Sequence, residues 1–369
     1  MNDSAAQGDA SAPKARRKHL FHLLLSVVIS AVIIFLIIHN LDWQVLLTEL
    51  MRLHVAYVPA LIAMLLALAW VRAMRWRVLL PQSSSIRTAT VFQATVAGFA
   101  ATFILPLRAG ELVRPWLLGR WQKIPFGVAL ASVVVERFFD VLTLMVLLSV
   151  CLMRYQHAPP IVVAGARMVS VTFLVLLVVV VLCYVRPTWV TGAVDAIGRR
   201  LLGSRPRLAA KLTEAARGVV AGFRGISSLA ELATALGLSA ALWLLMAAWY
   251  QLLLLAFGVS ESFWTGMLLN VMVTVAVAVP SAPGFVGTFQ AGCLLALSVM
   301  LPHSREFATA YSIVAHALQL GVTVLAGLVI LHFRGITVGE MRRQPEALSG
   351  QAGDGEGHDG GRTGGSAAP

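Results

Sequence analysis

The sequence predicts an all-α polytopic membrane protein, with about six full transmembrane helices plus two re-entrant helical hairpins in an inverted-topology repeat. Three observations predict it. Apolar runs at 20–38, 161–185 and 233–257 reach the roughly 20 residues that a helix needs to cross a bilayer. Charged residues make up 12% of the chain and hydrophobic ones 58%, whereas soluble domains carry about 25% charge. The cations also cluster between the apolar runs in a way that orients them, because Lys and Arg favour the cytoplasmic side.

Each element follows from that rule. Residues 1–18 form a basic cytoplasmic segment containing Lys14, Arg16, Arg17 and Lys18. The run 20–38 is too long for the core of a signal peptide. His39-Asn40-Leu41-Asp42 follows it in place of a small-residue cleavage site, so it is an uncleaved first span. A second span, 56–74, returns to Arg72, Arg75, Trp76 and Arg77, which read as an interfacial anchor. The apolar run 89–107 is followed by Arg108, Arg114, Arg120 and Lys123. A single crossing would strand these cations outside, so 89–120 is predicted to be a hairpin that enters from the cytoplasm, breaks near Pro106 and Gly110, and returns.

Spans 126–153, 161–185 and 233–257 follow. The short runs 264–279 and 285–300 flank Pro280-Ser281-Ala282-Pro283-Gly284. They predict a second hairpin, entering from outside, with a short external loop between two full spans as the competing reading. Span 307–333 returns inward. On this map all 29 Lys and Arg residues except Arg52, Arg137, Arg154, Arg167 and Arg305 lie on the inner side, and both termini are cytoplasmic.

The membrane domain is therefore 19–334, divided into halves 19–157 and 158–334. Its two broken helices occupy matching places in oppositely oriented halves, the pattern that marks a midplane binding site. Residues 203–232 carry apolar positions at near-helical spacing and predict a cytoplasmic amphipathic segment. Residues 335–369 read as a disordered cytoplasmic tail.

The net charge of +12 is spread between spans, which points to topology and anionic headgroups rather than nucleic acid. Cys151, Cys183 and Cys293 all sit in apolar stretches, so neither a disulfide framework nor a zinc site is expected. Nucleotide-binding glycine patterns, metalloprotease motifs and nucleophile triads are absent from the sequence, and no cofactor or metal is expected.

Three stretches carry candidate chemistry. Glu136, Arg137 and Asp140 lie near the middle of span 126–153, where each ionisable residue costs roughly 2.5–3.5 kcal/mol. They either line a polar cavity or form an ion pair that locks the span to a neighbour. Around the first turn, Arg108 and Arg114 can fork onto a phosphate. Gly110 permits a sharp turn, and Glu111 can orient an arginine or meet a cationic headgroup. An ordinary basic loop is the alternative. At the second turn Pro283, Gly284, Gly287 and Gln290 are candidates, and His316 in the last span is a further one; a lone membrane histidine more often packs or hydrogen-bonds.

Read in order, these motifs resemble the lysylphosphatidylglycerol synthase transmembrane-region family of bacteria and archaea. They are Arg72-x-x-Arg75-Trp76-Arg77, Leu105-Pro106-x-Arg108-x-Gly110-Glu111-x-x-Arg114, Glu136-Arg137-x-x-Asp140 and Pro280-x-x-Pro283-Gly284-x-x-Gly287-x-x-Gln290. The resemblance covers about 17–334. In the best-known members this region is the flippase half of the multiple peptide resistance factor, and other members occur in hopanoid and glycolipid settings. The resemblance implies a lipid translocase of the bacterial inner membrane that binds an anionic or aminoacylated phospholipid, or a related lipid. Arg108, Arg114 and Arg137 would meet phosphate, with Glu111, Glu136 and Asp140 balancing charge. A separately encoded lipid synthase is the implied partner. Lysyl transfer is not expected, because only a polar tail follows Arg334. Many members carry an acidic residue or Asn around the turns, where this chain has Gln290 and Thr102. The alternatives are a membrane-embedded enzyme or accessory subunit acting on a lipid or polyprenyl phosphate, or an ion-coupled solute transporter.

Overall fold

The computed structural model describes residues 12–39, 41–80, 85–105, 110–154, 186–201, 228–279, 281–299, 301–337 and 339–341, with scattered positions at 171–182 and Thr213. These residues form helices and connections without a strand. In chain order the helices are α1 (Ala12–Ile38), α2 (Trp43–Met51), α3 (Val58–Leu79), α4 (Thr88–Ile104), α5 (Gly110–Gln122), α6 (Phe126–Arg154) and α7 (Pro187–Leu201). They continue with α8 (Leu229–Ala256), α9 (Phe263–Ala278), α10 (Thr288–Leu294, extended by a π-turn over Leu295–Val299) and α11 (Arg305–Phe333).

Among the described residues, three helical stretches, Val55–Leu79, Ala230–Ala256 and Arg305–Phe333, are long and apolar enough to cross a membrane. They correspond to α3, α8 and α11. α1 joins them if its bent partner α2 is counted with it. α6 has 29 residues but carries three ionisable side chains near its middle. The expected span at 161–185 lies almost wholly outside the described residues.

Side-chain pairings give the helix directions. Trp249 donates its indole N–H to the Leu61 carbonyl at 3.0 Å, and Arg75 donates to Ser239 Oγ at 3.3 Å, so α3 and α8 run antiparallel. Arg334 donates to Gln93 at 2.9 Å, and Gly327 lies against Ala100, so α4 and α11 are antiparallel as well.

Both predicted breaks produce antiparallel helix pairs. In the first, Gly98 sits against Arg114, Gly110 sits against Thr102, and Gln122 donates to Thr90 Oγ1 at 3.1 Å. A Cβ on Gly110 would lie 2.1 Å from the Thr102 backbone nitrogen. Glycine is therefore required here by the close approach of α4 and α5. The turn expected near Gly110 runs through 106–109, outside the described residues. In the second pair, α9 and α10 cross where Gly292 meets Val273, and their outer ends are joined by Glu261 and His303 at 3.1 Å.

Four further regions differ from the sequence expectation. Residues 43–51 are helical, because the Asp42 carboxylate accepts from the Gln44 and Val45 N–H groups at 2.9 and 3.1 Å. α2 turns 92° from α1. It exposes Trp43, Val45, Leu47 and Met51, the composition of an interfacial helix. The amphipathic segment 203–232 lies mostly outside the described residues, and its end belongs to α8, whose first turn Ser228 caps from its side chain. The tail does not begin at 335. Ile336 and Met341 are buried against Leu331 and Leu117, which anchors 335–341 to the bundle. Finally, Trp76 is fully buried rather than interfacial.

Candidate functional site

α6 sets the centre of the site. Its residues Glu136 and Asp140 are four apart and share a face. That face meets the end of α3 and the start of α5. Glu136 is completely buried and receives three arginines. Arg114 forks onto it end-on, Nη1 to Oε1 at 3.0 Å and Nη2 to Oε2 at 2.7 Å. Arg75 donates Nη2 to Oε1 at 3.0 Å and Nη1 to Asp140 Oδ1. Arg137 reaches Glu136 Oε1 and Asp140 Oδ2, each at 3.3 Å.

Aromatic and hydroxyl groups complete the packing. The Arg114 guanidinium lies 3.9 Å from the Trp76 ring centroid. Trp76 donates its indole N–H to Ser132 Oγ at 2.9 Å. A buried carboxylate is tolerable only when paired and hydrogen-bonded. α3, α5 and α6 are joined by that requirement.

This geometry divides the predicted site residues into two groups. Arg114 and Glu136 are sealed against each other, so the expectation that Arg114 meets phosphate directly is corrected. Both ends of its fork are taken by Glu136, and its side chain is 4% exposed. Arg137 and Asp140 sit at the margin, with side-chain exposures of 38% and 19%. Arg137, Glu111, Gly110 and Thr102 line a small pocket together with Arg114. Arg108 lies outside the described residues.

The sequence reading missed Arg75 and Trp76, which it placed in an interfacial anchor. A signal was present. Glu136 and Asp140 at helix depth need more cations than Arg137 alone supplies, and Arg72, Arg75 and Arg77 at the end of an earlier span were available.

The second turn is built from neutral groups. Gly284 and Gly287 have φ of 78° and 89°, a region that costs glycine little. Gln290 accepts from the Gly287 N–H at 2.8 Å and donates to His316 Nδ1 at 3.0 Å. His316 Nε2 lies 2.7 Å from the Gly284 carbonyl. A neutral ring protonated on Nε2 satisfies both contacts. Phe289 stacks on the ring at 4.7 Å. Gln290 and His316 thus hold the turn in shape. Ser30 of α1 accepts from the Ala282 N–H at 2.8 Å and covers the turn.

The two turns meet. Phe103 at the end of α4 packs edge-on against Phe285, centroids 5.5 Å apart. Between the tips lies a cleft lined by Ser26, Thr102, Leu105, Ser281, Pro283 and Gly284. Thr102 borders both this cleft and the Arg137 pocket.

Residues 23–327 match the family described as the lysylphosphatidylglycerol synthase TM region. The chain belongs to that family. It is accordingly a multi-pass membrane protein related to lipid handling. No curated protein and no solved structure matches it. Within this member of the synthase transmembrane-region family, the ordered motifs converge: Arg75-Trp76, Gly110 to Arg114 and Glu136 to Asp140 form one cluster, and Pro283 to Gln290 form the turn facing the tip of α4.

Proposed function

We propose that this chain is a lipid translocase of a bacterial cytoplasmic membrane, moving an anionic or aminoacylated phospholipid, or a related lipid, between leaflets without covalent chemistry of its own. The observation that carries the reading is the meeting of two broken-helix tips over a shared cleft, next to the margin of a charged cluster. Irregular backbone at membrane depth must be buried in protein or line a wet cavity. The cleft between the tips fits a headgroup, while acyl tails stay in the bilayer.

In this reading the first hairpin enters from the cytoplasm and the second from the opposite face, as inverted repeats require. The antiparallel pairings of α3 with α8 and of α4 with α11 support that arrangement. Arg137 and Glu111 are the charged groups open to a headgroup, and Arg114, Glu136 and Arg75 position them. An enzyme using Glu136 as general base is disfavoured, because that carboxylate is held between two guanidinium groups.

The test is transport. Purified protein in phosphatidylcholine vesicles containing a fluorescent phosphatidylglycerol should make the inner-leaflet probe accessible to an external quencher faster than in protein-free vesicles. Equal rates for phosphatidylglycerol, its lysyl ester and protein-free controls would sink the proposal. Cysteines placed at Arg120 and His303 should label from opposite faces of the membrane.

A further inference from the structure

Arg72 lies three residues before Arg75 on α3, so the two share a helix face. Their surroundings differ. Arg75 is sealed on Glu136 and Asp140. Arg72 makes no ion pair and no hydrogen bond among the described residues; its guanidinium rests 4.6 Å from the Phe99 ring centroid.

It faces a cleft between α3, α4, α8 and α11. Among the described residues, the polar side chains lining this cleft besides Arg72 are Gln319 and Thr323. The remaining walls are apolar, among them Leu65, Leu66, Phe103 and Val322. Leu66 is exposed on the outer surface of the bundle, so the cleft opens sideways toward lipid.

A cation that makes no direct ion pair at membrane depth is costly, and an anion arriving from the bilayer relieves that cost. Apolar walls continuous with the bilayer favour an anion that carries acyl chains over a free one.

We propose that the Arg72 cleft is a lateral lipid site. There the guanidinium forks onto the phosphodiester of an anionic glycerophospholipid, and the acyl chains lie along Leu65, Leu66 and Val322. The proposal rests on the lipid-handling reading above and adds to it a headgroup site outside the tip cleft. Phe99 separates this site from the inner cluster, because Arg114 lies on the same ring at 5.8 Å.

The full chain is reconstituted in phosphatidylcholine vesicles with a trace of phosphatidylglycerol bearing a photoreactive group on its acyl chain. Irradiation should place adducts on the peptides containing Leu65, Leu66 and Val322. Phosphatidylcholine with the same photoreactive chain should label them at background. In Arg72→Gln the phosphatidylglycerol adducts should fall about 10-fold, as loss of charge-assisted hydrogen bonds implies, and in Arg72→Lys they should persist.

Equal labelling by the two lipids in the wild type overturns the site even if Arg72→Gln does not fold. So does undiminished labelling in Arg72→Gln, or loss of labelling when excess inorganic phosphate is present during irradiation. A wild type that captures phosphatidylglycerol in this cleft but moves no lipid overturns the translocase reading and leaves the cleft standing. One that moves lipid without labelling the cleft does the reverse.

Discussion

The two helical hairpins occupy corresponding places in the chain and are held by opposite chemistry. The first, α4–α5, is tied to its surroundings by charge: Arg114 on Glu136, Arg75 on Glu136 and Asp140, and Trp76 under the Arg114 guanidinium. The second, α9–α10, is tied by a neutral clasp of Gln290, His316 and the Gly284 carbonyl, within the larger apolar core that contains Phe289, Tyr311 and Tyr250. The difference teaches that similar topology does not imply similar sites. One hairpin brings the charge, and the other supplies a shaped, neutral wall against which its tip rests.

The largest expected effect breaks the charged side. Glu136→Ala leaves Arg75 and Arg114 buried without their shared carboxylate, a loss of about 3–5 kcal/mol. Thermal unfolding in detergent, followed by tryptophan fluorescence, should show a large drop in midpoint. A wild-type midpoint would mean that the arginines find other counter-ions, and the contrast between the hairpins would fall.

Steric closure comes next. Gly110→Ala forces a methyl group against the Thr102 backbone, and overpacking of this kind costs about 1–3 kcal/mol. The equivalent change at Gly321, where nothing lies within 4 Å of an added Cβ, should leave stability unchanged. Comparable losses at both positions would show that the tight crossing of α4 and α5 is not maintained.

The neutral clasp should be cheaper to open. His316→Leu removes a donor to the Gly284 carbonyl and an acceptor for Gln290, at about 1–3 kcal/mol for the groups left unsatisfied. Gln290→Leu should cost a similar amount, and the double variant less than the sum, because the two side chains act as one unit. Strict additivity, measured by the same unfolding assay, would show that the clasp is not coupled.

Smallest in stability is Asp140→Asn. Asp140 is partly exposed and shares Arg75 with Glu136, so the loss should stay near about 1 kcal/mol, the upper range for a solvated ion pair. Lipid transfer should nevertheless slow several-fold, since Arg137 would lose the partner that holds it at the pocket margin. Unchanged transfer would confine Asp140 to packing.

Much of this architecture was legible from periodicity and charge. Two proline- and glycine-bearing interruptions predicted two breaks, and both became antiparallel hairpins with touching tips. The roles within the motifs were less legible. Arg72, Arg75 and Arg77 fall within six residues and look alike on the page, yet the structure seals Arg75 on two carboxylates and leaves Arg72 facing an open cleft. Residues 43–51 hold no apolar run of span length, so the sequence reading assigned them no element. Only the Asp42 cap and the apolar face it stabilises make that segment a helix.

By itself the sequence determined that this chain lives in a bilayer, where its helices break, and which ionisable residues lie at membrane depth. These follow from the cost of placing polar groups in hydrocarbon, which acts residue by residue along the chain. Which arginine answers which carboxylate was decided only by tertiary structure. Glu136 sits 61 residues from Arg75 and 22 from Arg114, and helix periodicity carries no information across such separations. The pairing exists because α3, α5 and α6 pack together, and the same packing leaves Arg72 without a partner among the described residues.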